Sequence, residues 1–221
     1  MKQHDLANRF RQKRMQRFLA HIAPLRARPL RIVDIGGTLG FWRALPGLYG
    51  DDIVTITVVN LGADERQEAN VRVVEGNACA LPFDDNSFDV VHSNSVIEHV
   101  GHWREMEMMA REVRRLAPNY FVQTPNIWFP IEPHFKLPFV HWLPEQTRAA
   151  LVQAAGRSKK FADAGEATQY VQRISLLSAA QVRCLFPDAR IWRERVLGVT
   201  KSLVAERFEG PGLSRAPNDN P

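Results

Sequence analysis

The segment IVTITVVNL, residues 53–61, is apolar or β-branched at almost every position. Side chains of a strand point alternately to its two faces, so a strand apolar at successive positions must be covered on both. Four further runs share this property: LRIVDI (30–35), VRVVEGNA (71–78), FDVVHSNSV (88–96) and NYFVQTPN (119–126). Between the last two lies HWREMEMMAREVRRLA (102–117), which puts Trp103, Met106, Met109, Ala110, Val113 and Leu116 on one helical face. Doubly covered strands that alternate with helices or short connectors predict a parallel sheet with helices on both sides.

The remaining segments extend this frame. Residues 5–22 carry Leu6, Phe10, Met15, Phe18, Leu19 and Ile22 at helical spacing and end before Pro24. After residue 126 the order changes. IWFPIEPHFKLPFVHWLP holds four prolines and five large aromatics, then helices are expected over 145–156, 165–174 and 176–186. ARIWRERVLGV (189–199) and KSLVAERF (201–208) meet tightly at Gly198 and are therefore expected to be antiparallel. The predicted fold is α/β, a three-layer Rossmann-like sheet of seven strands, mostly parallel with the last strand antiparallel. Residues 1–208 read as a single domain, with an N-terminal basic helix (1–29) and an insertion (127–175); 209–221 is a Pro-, Gly- and Asn-rich tail expected to be disordered.

Charge narrows the function. The chain carries a formal +5, and Arg9, Arg11, Lys13, Arg14, Arg17, Arg26, Arg28 and Arg31 stand in a stretch without a single acid. Such a helix suits phosphates, in nucleic acid or in lipid headgroups. No aromatic-rich binding pattern accompanies it, which favours a solvated helix face over a nucleic-acid contact. No apolar core of signal-peptide length and no run of about 20 apolar residues occurs. Cys79 and Cys184 lie far apart, outside any metal-ligand spacing. They predict no disulfide framework, no metal site and a cytoplasmic location.

The strand 30–35 ends in Asp34 and runs directly into Gly36, Gly37, Thr38 and Gly40. Glycines after a buried strand let backbone approach a ligand, and a helix beginning there presents free N–H groups. In a doubly wound sheet this is where nucleotide-like cofactors sit. The spacing D-x-G-G-x-x-G does not fit the G-x-G-x-x-G of dinucleotide sites.

The stretch 31–126 resembles the class I S-adenosylmethionine (SAM)-dependent methyltransferases, in particular the small bacterial type 11-like domains. VDIGGTLG is similar to that family's first motif, and VVEGNACALPFDDNSFDVVHSNSVIEHV to its third and fourth. The resemblance implies SAM as cofactor. It implies that Gly36, Gly37, Thr38 and Gly40 line the turn beneath the methionine portion. Asp34 would hold the turn and face the amino group, directly or through water. Asn60 would meet the ribose hydroxyls, and Asn77, with the Ala78 N–H, the adenine; Ser93 and Asn94 would border the sulfonium. Three positions depart from the pattern: Thr38 stands for a glycine, and Asn60 and Asn77 each stand for an acid. A neutral amide in place of a carboxylate weakens such a bond by on the order of 1 kcal/mol.

Methyl transfer needs a base only when the acceptor atom must lose a proton. His99, Glu132, His134 and His141 are the candidates, with Glu132 and His134 two residues apart in an extended segment. Trp128, Phe129, Phe135, Phe139 and Trp142 would either line an acceptor pocket or form a small satellite core. The expected activity is methylation, on oxygen, of a small-molecule or a glycan- or lipid-linked acceptor. Two rivals stay open: an RNA or protein methyltransferase that uses the basic helix, and a non-catalytic binding module. Oligomeric state is not readable from the sequence.

Overall fold

The computed structural model describes residues 3–45, 47–131, 134, 137–155, 161 and 163–209. Its centre is an eight-stranded sheet: β1 (Leu30–Ile35), β2 (Val54–Asn60), β3 (Arg66–Glu68), β4 (Val71–Glu75), β5 (Val90–Asn94), β6 (Asn119–Pro125), β7 (Arg190–Val196) and β8 (Val199–Arg207). The spatial order is β3-β4-β2-β1-β5-β6-β8-β7. Strands β4, β2, β1, β5 and β6 are mutually parallel, and β8 runs antiparallel to both of its neighbours. The order reverses at β1, whose carboxyl end opens the crevice that ligands use in such sheets. The eighth strand is β3, three half-buried or exposed residues antiparallel to β4 at the sheet edge. Its sequence, RQE, carries no apolar signal.

Two apolar layers explain the doubly covered strands. On one face, Val33, Ile35, Val59, Tyr120 and Val122 pack with Met106, Met109 and Val113 of α3 (Trp103–Leu116) and Val182 and Leu185 of α6 (Ala179–Leu185). On the other, Ile32, Ile56, Val58, Val90 and Phe121 meet Met15, Phe18 and Ile22 of α1 (Gln3–Ile22), and Leu39 and Trp42 of the short α2 (Leu39–Arg43). The last expected helix begins three residues late, because Leu177 pairs with Asn126 and Ser178 caps α6. The insertion adds α4 (Glu145–Ala155) and α5 (Ala164–Gln172) around their own small core of Val140, Ala149, Val152, Val171 and Ile174.

The basic N-terminal segment is not a plain solvated face. Arg14 lies 3.2 Å from Glu194 of β7, and Arg17 donates to Glu206 of β8 through two of its guanidinium nitrogens, Nε and Nη2. His21 also reaches Glu206, at 3.3 Å. Arg26 pairs with Asp51, and Arg28 and Arg31 both pair with Asp89. The acids are distant in sequence, which is why the local stretch looks uncompensated. Burial pushes the Glu206 carboxyl up, but the hydrogen bonds from Arg17 and His21 outweigh it and hold the group below its ordinary range. Among the described residues no helix is long and apolar enough to cross a membrane.

Candidate active site

The carboxyl ends of β1, β2 and β5 converge on the glycine turn. Gly36 has φ +74°, and a β-carbon there would meet Val96 at 2.4 Å; both facts require glycine. Gly37 faces a harder obstacle, since a β-carbon would lie 1.7 Å from Asp34 Oδ2. Thr38 caps α2, its hydroxyl accepting from the Phe41 N–H at 3.3 Å. Gly40 is exposed, with open space where a β-carbon would be.

Asp34 is 1% exposed and occupied on both oxygens. Oδ1 lies 2.7 Å from His92 Nδ1, and Oδ2 accepts from the Trp42 indole N–H at 2.7 Å. Buried carboxylates need such partners, because unpaired burial is costly. Both oxygens are thus engaged from within the protein. Asp34 supports the turn from below, and Trp42 turns inward to reach it rather than obstructing the bend. His92 is walled by aromatic rings: Phe41 at 5.5 Å and Phe121 at 6.1 Å are nearly parallel to it, while Phe18 at 4.9 Å and Trp42 at 5.6 Å present edges. Neither partner of Asp34 was identified as one from the sequence. The available signal was a titratable ring, His92, inside the apolar run FDVVHSNSV.

Asn60 stands at the end of β2, half-buried. Its Nδ2 donates to the Gly37 carbonyl at 3.2 Å and its Oδ1 accepts from Leu61 N at 3.0 Å, tying the second loop to the glycine turn. Asn77 is exposed, its Oδ1 accepting from Cys79 N at 2.9 Å, with Ala78 half-buried beside it. An open depression of about 610 Å³ lies next along the chain, lined by residues 79–84 with Glu112 and Arg115; it shares no residue with the glycine turn. Ser93 is fully buried and donates to the Ile35 carbonyl at 3.0 Å. Its hydroxyl therefore does not border the site as expected, whereas Asn94, the next residue, is half-buried at the strand end.

Two of the candidate bases meet. His99 Nε2 and His134 Nε2 are 3.0 Å apart, with the rings edge to face. His99 Nδ1 lies 3.1 Å from the Arg173 carbonyl, which can only accept, so Nδ1 carries the hydrogen. With both rings neutral, His134 then donates to His99. The Tyr170 hydroxyl donates to the His134 carbonyl at 3.0 Å, and Ser175 N donates to the Glu98 carbonyl at 2.8 Å. The contacts of His99 and Glu98 fasten the insertion to the segment that follows β5. Glu98, missed by the sequence reading, is fully buried and accepts from the Thr124 hydroxyl at 3.0 Å. His141 is also buried, its Nε2 donating to the Ile127 carbonyl at 2.9 Å. Glu132 and Phe135 lie outside the described residues. Trp128, Phe139 and Trp142 form an exposed cluster, with ring centroids 6.4 and 5.2 Å apart, and stand apart from the apolar residues of the satellite core. No cluster of three or more metal-ligating side chains occurs among the described residues.

Comparison with known proteins bears on this geometry. The sequence model of a family described as a methyltransferase domain matches residues 34–119. The match begins at Asp34, the acid under the turn. No curated protein matches the chain. Among solved structures, a Rhodobacter sphaeroides protein named as a zinc-dependent alcohol dehydrogenase shares 12% identity over 81% of this chain and 84% of its own, with a TM-score of 0.50. That likeness concerns the fold alone. A Pyrococcus horikoshii OT3 protein is 18% identical over 88% of this chain and 91% of its own, with a TM-score of 0.48. A SAM-dependent methyltransferase of Methanosarcina mazei is 15% identical over 81% and 92%, with a TM-score of 0.44.

Proposed function

We propose that this chain, which over residues 34–119 belongs to the class I SAM-dependent methyltransferases, methylates an oxygen of a small-molecule or a glycan- or lipid-linked acceptor bound between the glycine turn and the insertion. The observation that carries the reading is the seat itself: a turn where side chains are sterically forbidden at Gly36 and Gly37, laid over a buried carboxylate. A seat of that kind admits a ligand against bare backbone and offers negative charge to a cationic one.

The residues present fit the cofactor. Gly36, Gly37, Thr38 and Gly40 would form the floor for its methionine portion. Asn60 would hold the ribose, and Asn77 with the Ala78 N–H the adenine. Asn94, and Ser93 through its backbone, would border the reacting end, with Asp34 acting from beneath. Bound SAM supplies an electrophilic methyl on a positively charged sulfur, open to in-line displacement. What this chain supplies is alignment, an effect worth about 7–11 kcal/mol in well-oriented reactions, and a place for the proton. That place is the His99–His134 pair: a proton leaving an acceptor hydroxyl passes to an imidazole nitrogen while the partner ring holds its orientation. Glu132, two residues before His134 in the sequence, is assigned the role of raising the basicity of that imidazole. The exposed Trp128, Phe139 and Trp142 present flat apolar surface to the acceptor.

The basic-helix rival is disfavoured by the pairing of Arg14 and Arg17 with Glu194 and Glu206, which leaves them few free contacts for phosphate. We assign residues 1–208 to one catalytic unit in the cytoplasm, a reading supported by the free thiols of Cys79 and Cys184. Mass spectrometry of the purified protein for co-purified SAM or its demethylated product is the first test. Transfer of a labelled methyl from SAM into small-molecule, lipid, RNA and protein fractions is the second. Label in a small-molecule or lipid fraction is expected. Absence of SAM binding by calorimetry would overturn the enzyme reading, and label confined to RNA or protein would overturn the acceptor.

A further inference from the structure

We infer that His92 is a positioning residue that sets the electric charge beneath the cofactor's seat, and through it the preference of the site for cationic SAM over its uncharged demethylated product; this rests on the methyltransferase reading above. Asp34 is already bonded on both oxygens, by His92 Nδ1 and Trp42 Nε1, each at 2.7 Å. Its Oδ2 sits against the underside of Gly37, within 1.7 Å of where a β-carbon would be. The carboxylate thus acts on a ligand across one layer of backbone, by charge rather than by contact.

Of its two partners, the Trp42 indole can only donate, and its charge never changes. The His92 imidazole can titrate. With a neutral ring, Nδ1–H donates to the carboxylate and the pair carries −1. With a protonated ring the pair carries zero. The rings packed on His92 are uncharged: Phe18 of α1, Phe41 and Trp42 of α2, and Phe121 of β6. The charged α1 residues near Phe18, namely Arg14, Arg17 and His21, are engaged with Glu194 and Glu206. One proton on one ring therefore toggles the local charge in apolar surroundings, where charge is weakly screened.

SAM and its product differ by the methyl group and by the positive charge of the sulfonium. A net negative pair favours SAM; a neutral pair is indifferent to that charge. SAM binding accordingly opposes protonation of His92, and product binding does not.

The test measures dissociation constants for SAM and for S-adenosylhomocysteine by titration calorimetry between pH 5.5 and 8, in the wild type, His92→Asn and His92→Gln. Both amides keep an N–H donor for Asp34 and neither titrates. The wild type is expected to lose about tenfold in its SAM-over-product preference on acidification, as expected for a unit charge acting across an effective dielectric near 20. Both variants should hold a preference that does not vary with pH. Repeating the wild-type titrations in two buffers of different ionisation enthalpy counts protons directly and decides the matter even where a variant fails to fold. More proton release with SAM than with product is expected. A flat preference, equal proton release, or a slope that survives in the variants would overturn the inference while leaving the enzyme reading intact. No binding of either ligand at any pH would remove both.

Discussion

Gly37 rests directly on the carboxylate of Asp34, with no room between them for a methyl group. Gly37→Ala must therefore displace either the turn or the acid. The displaced acid would drag two N–H partners, so the expected loss is about 1–3 kcal/mol of stability, together with SAM affinity. Thermal melting and calorimetric titration of the same preparation check both.

Asp34→Asn keeps the shape of the side chain and removes its charge. One of the two incoming N–H groups, from His92 or Trp42, then meets an amide N–H instead of an oxygen. We expect about 1–3 kcal/mol of destabilisation from the orphaned donor and loss of SAM binding in protein that still folds, read by denaturant unfolding and by titration.

Asn60→Asp separates two roles of one residue. Asn60 Nδ2 donates to the Gly37 carbonyl, and a carboxylate cannot. The ligand-free protein should lose about 1 kcal/mol, whereas SAM binding should tighten several-fold through charge-assisted bonds to the ribose. Without SAM the melting temperature should fall below that of the wild type, and at saturating SAM the difference should largely vanish.

His134→Gln tests the base. Loss of a positioned proton acceptor should lower kcat by about 10²-fold or more, with SAM affinity unchanged. His99→Asn should show a smaller loss, because it removes the partner that orients His134 rather than the acceptor itself. Equal rates for His134→Gln and the wild type would show that the acceptor atom carries no proton to lose.

Acid should loosen α1. The Glu206 carboxyl is held below its ordinary value of 4.5 by Arg17 and His21. A depressed carboxyl stabilises the folded chain above that value and ceases to do so as pH falls through its lower, folded value. Wild-type melting temperature should fall below about pH 4.5, and Glu206→Gln should flatten that fall. Both are read by melting temperature against pH.

Much of the sheet was legible because burial on two faces leaves a plain mark: VTITVV and RIVDI admit few alternatives. β3 was not, since an edge strand of Arg66, Gln67 and Glu68 pairs through its backbone alone. The glycine turn after β1 was legible from DIGGTLG, but what lies beneath it was not. Spacing shows that Asp34 precedes Gly37; it does not show that the acid points inward, or that Trp42 and His92, 8 and 58 residues away, supply its hydrogen bonds. The direction of the Ser93 hydroxyl was hidden for the same reason. Ser93 lies at the right strand end, but its side chain points into the sheet. His99 and His134 were singled out separately. Their meeting depends on the path of the insertion, whose composition announces aromatics and prolines and not a route.

Arg17 and Glu206 are 189 residues apart and hold the first helix to the eighth strand. During synthesis this helix leaves the ribosome long before the strands that neutralise its arginines exist. Its apolar stripe can pack on β1, β2, β5 and β6, but until β7 and β8 emerge Arg14 and Arg17 lack the carboxylates they pair with. Any truncation that removes β8 should therefore cost α1 its ion pairs with Glu206 and loosen its hold on the sheet.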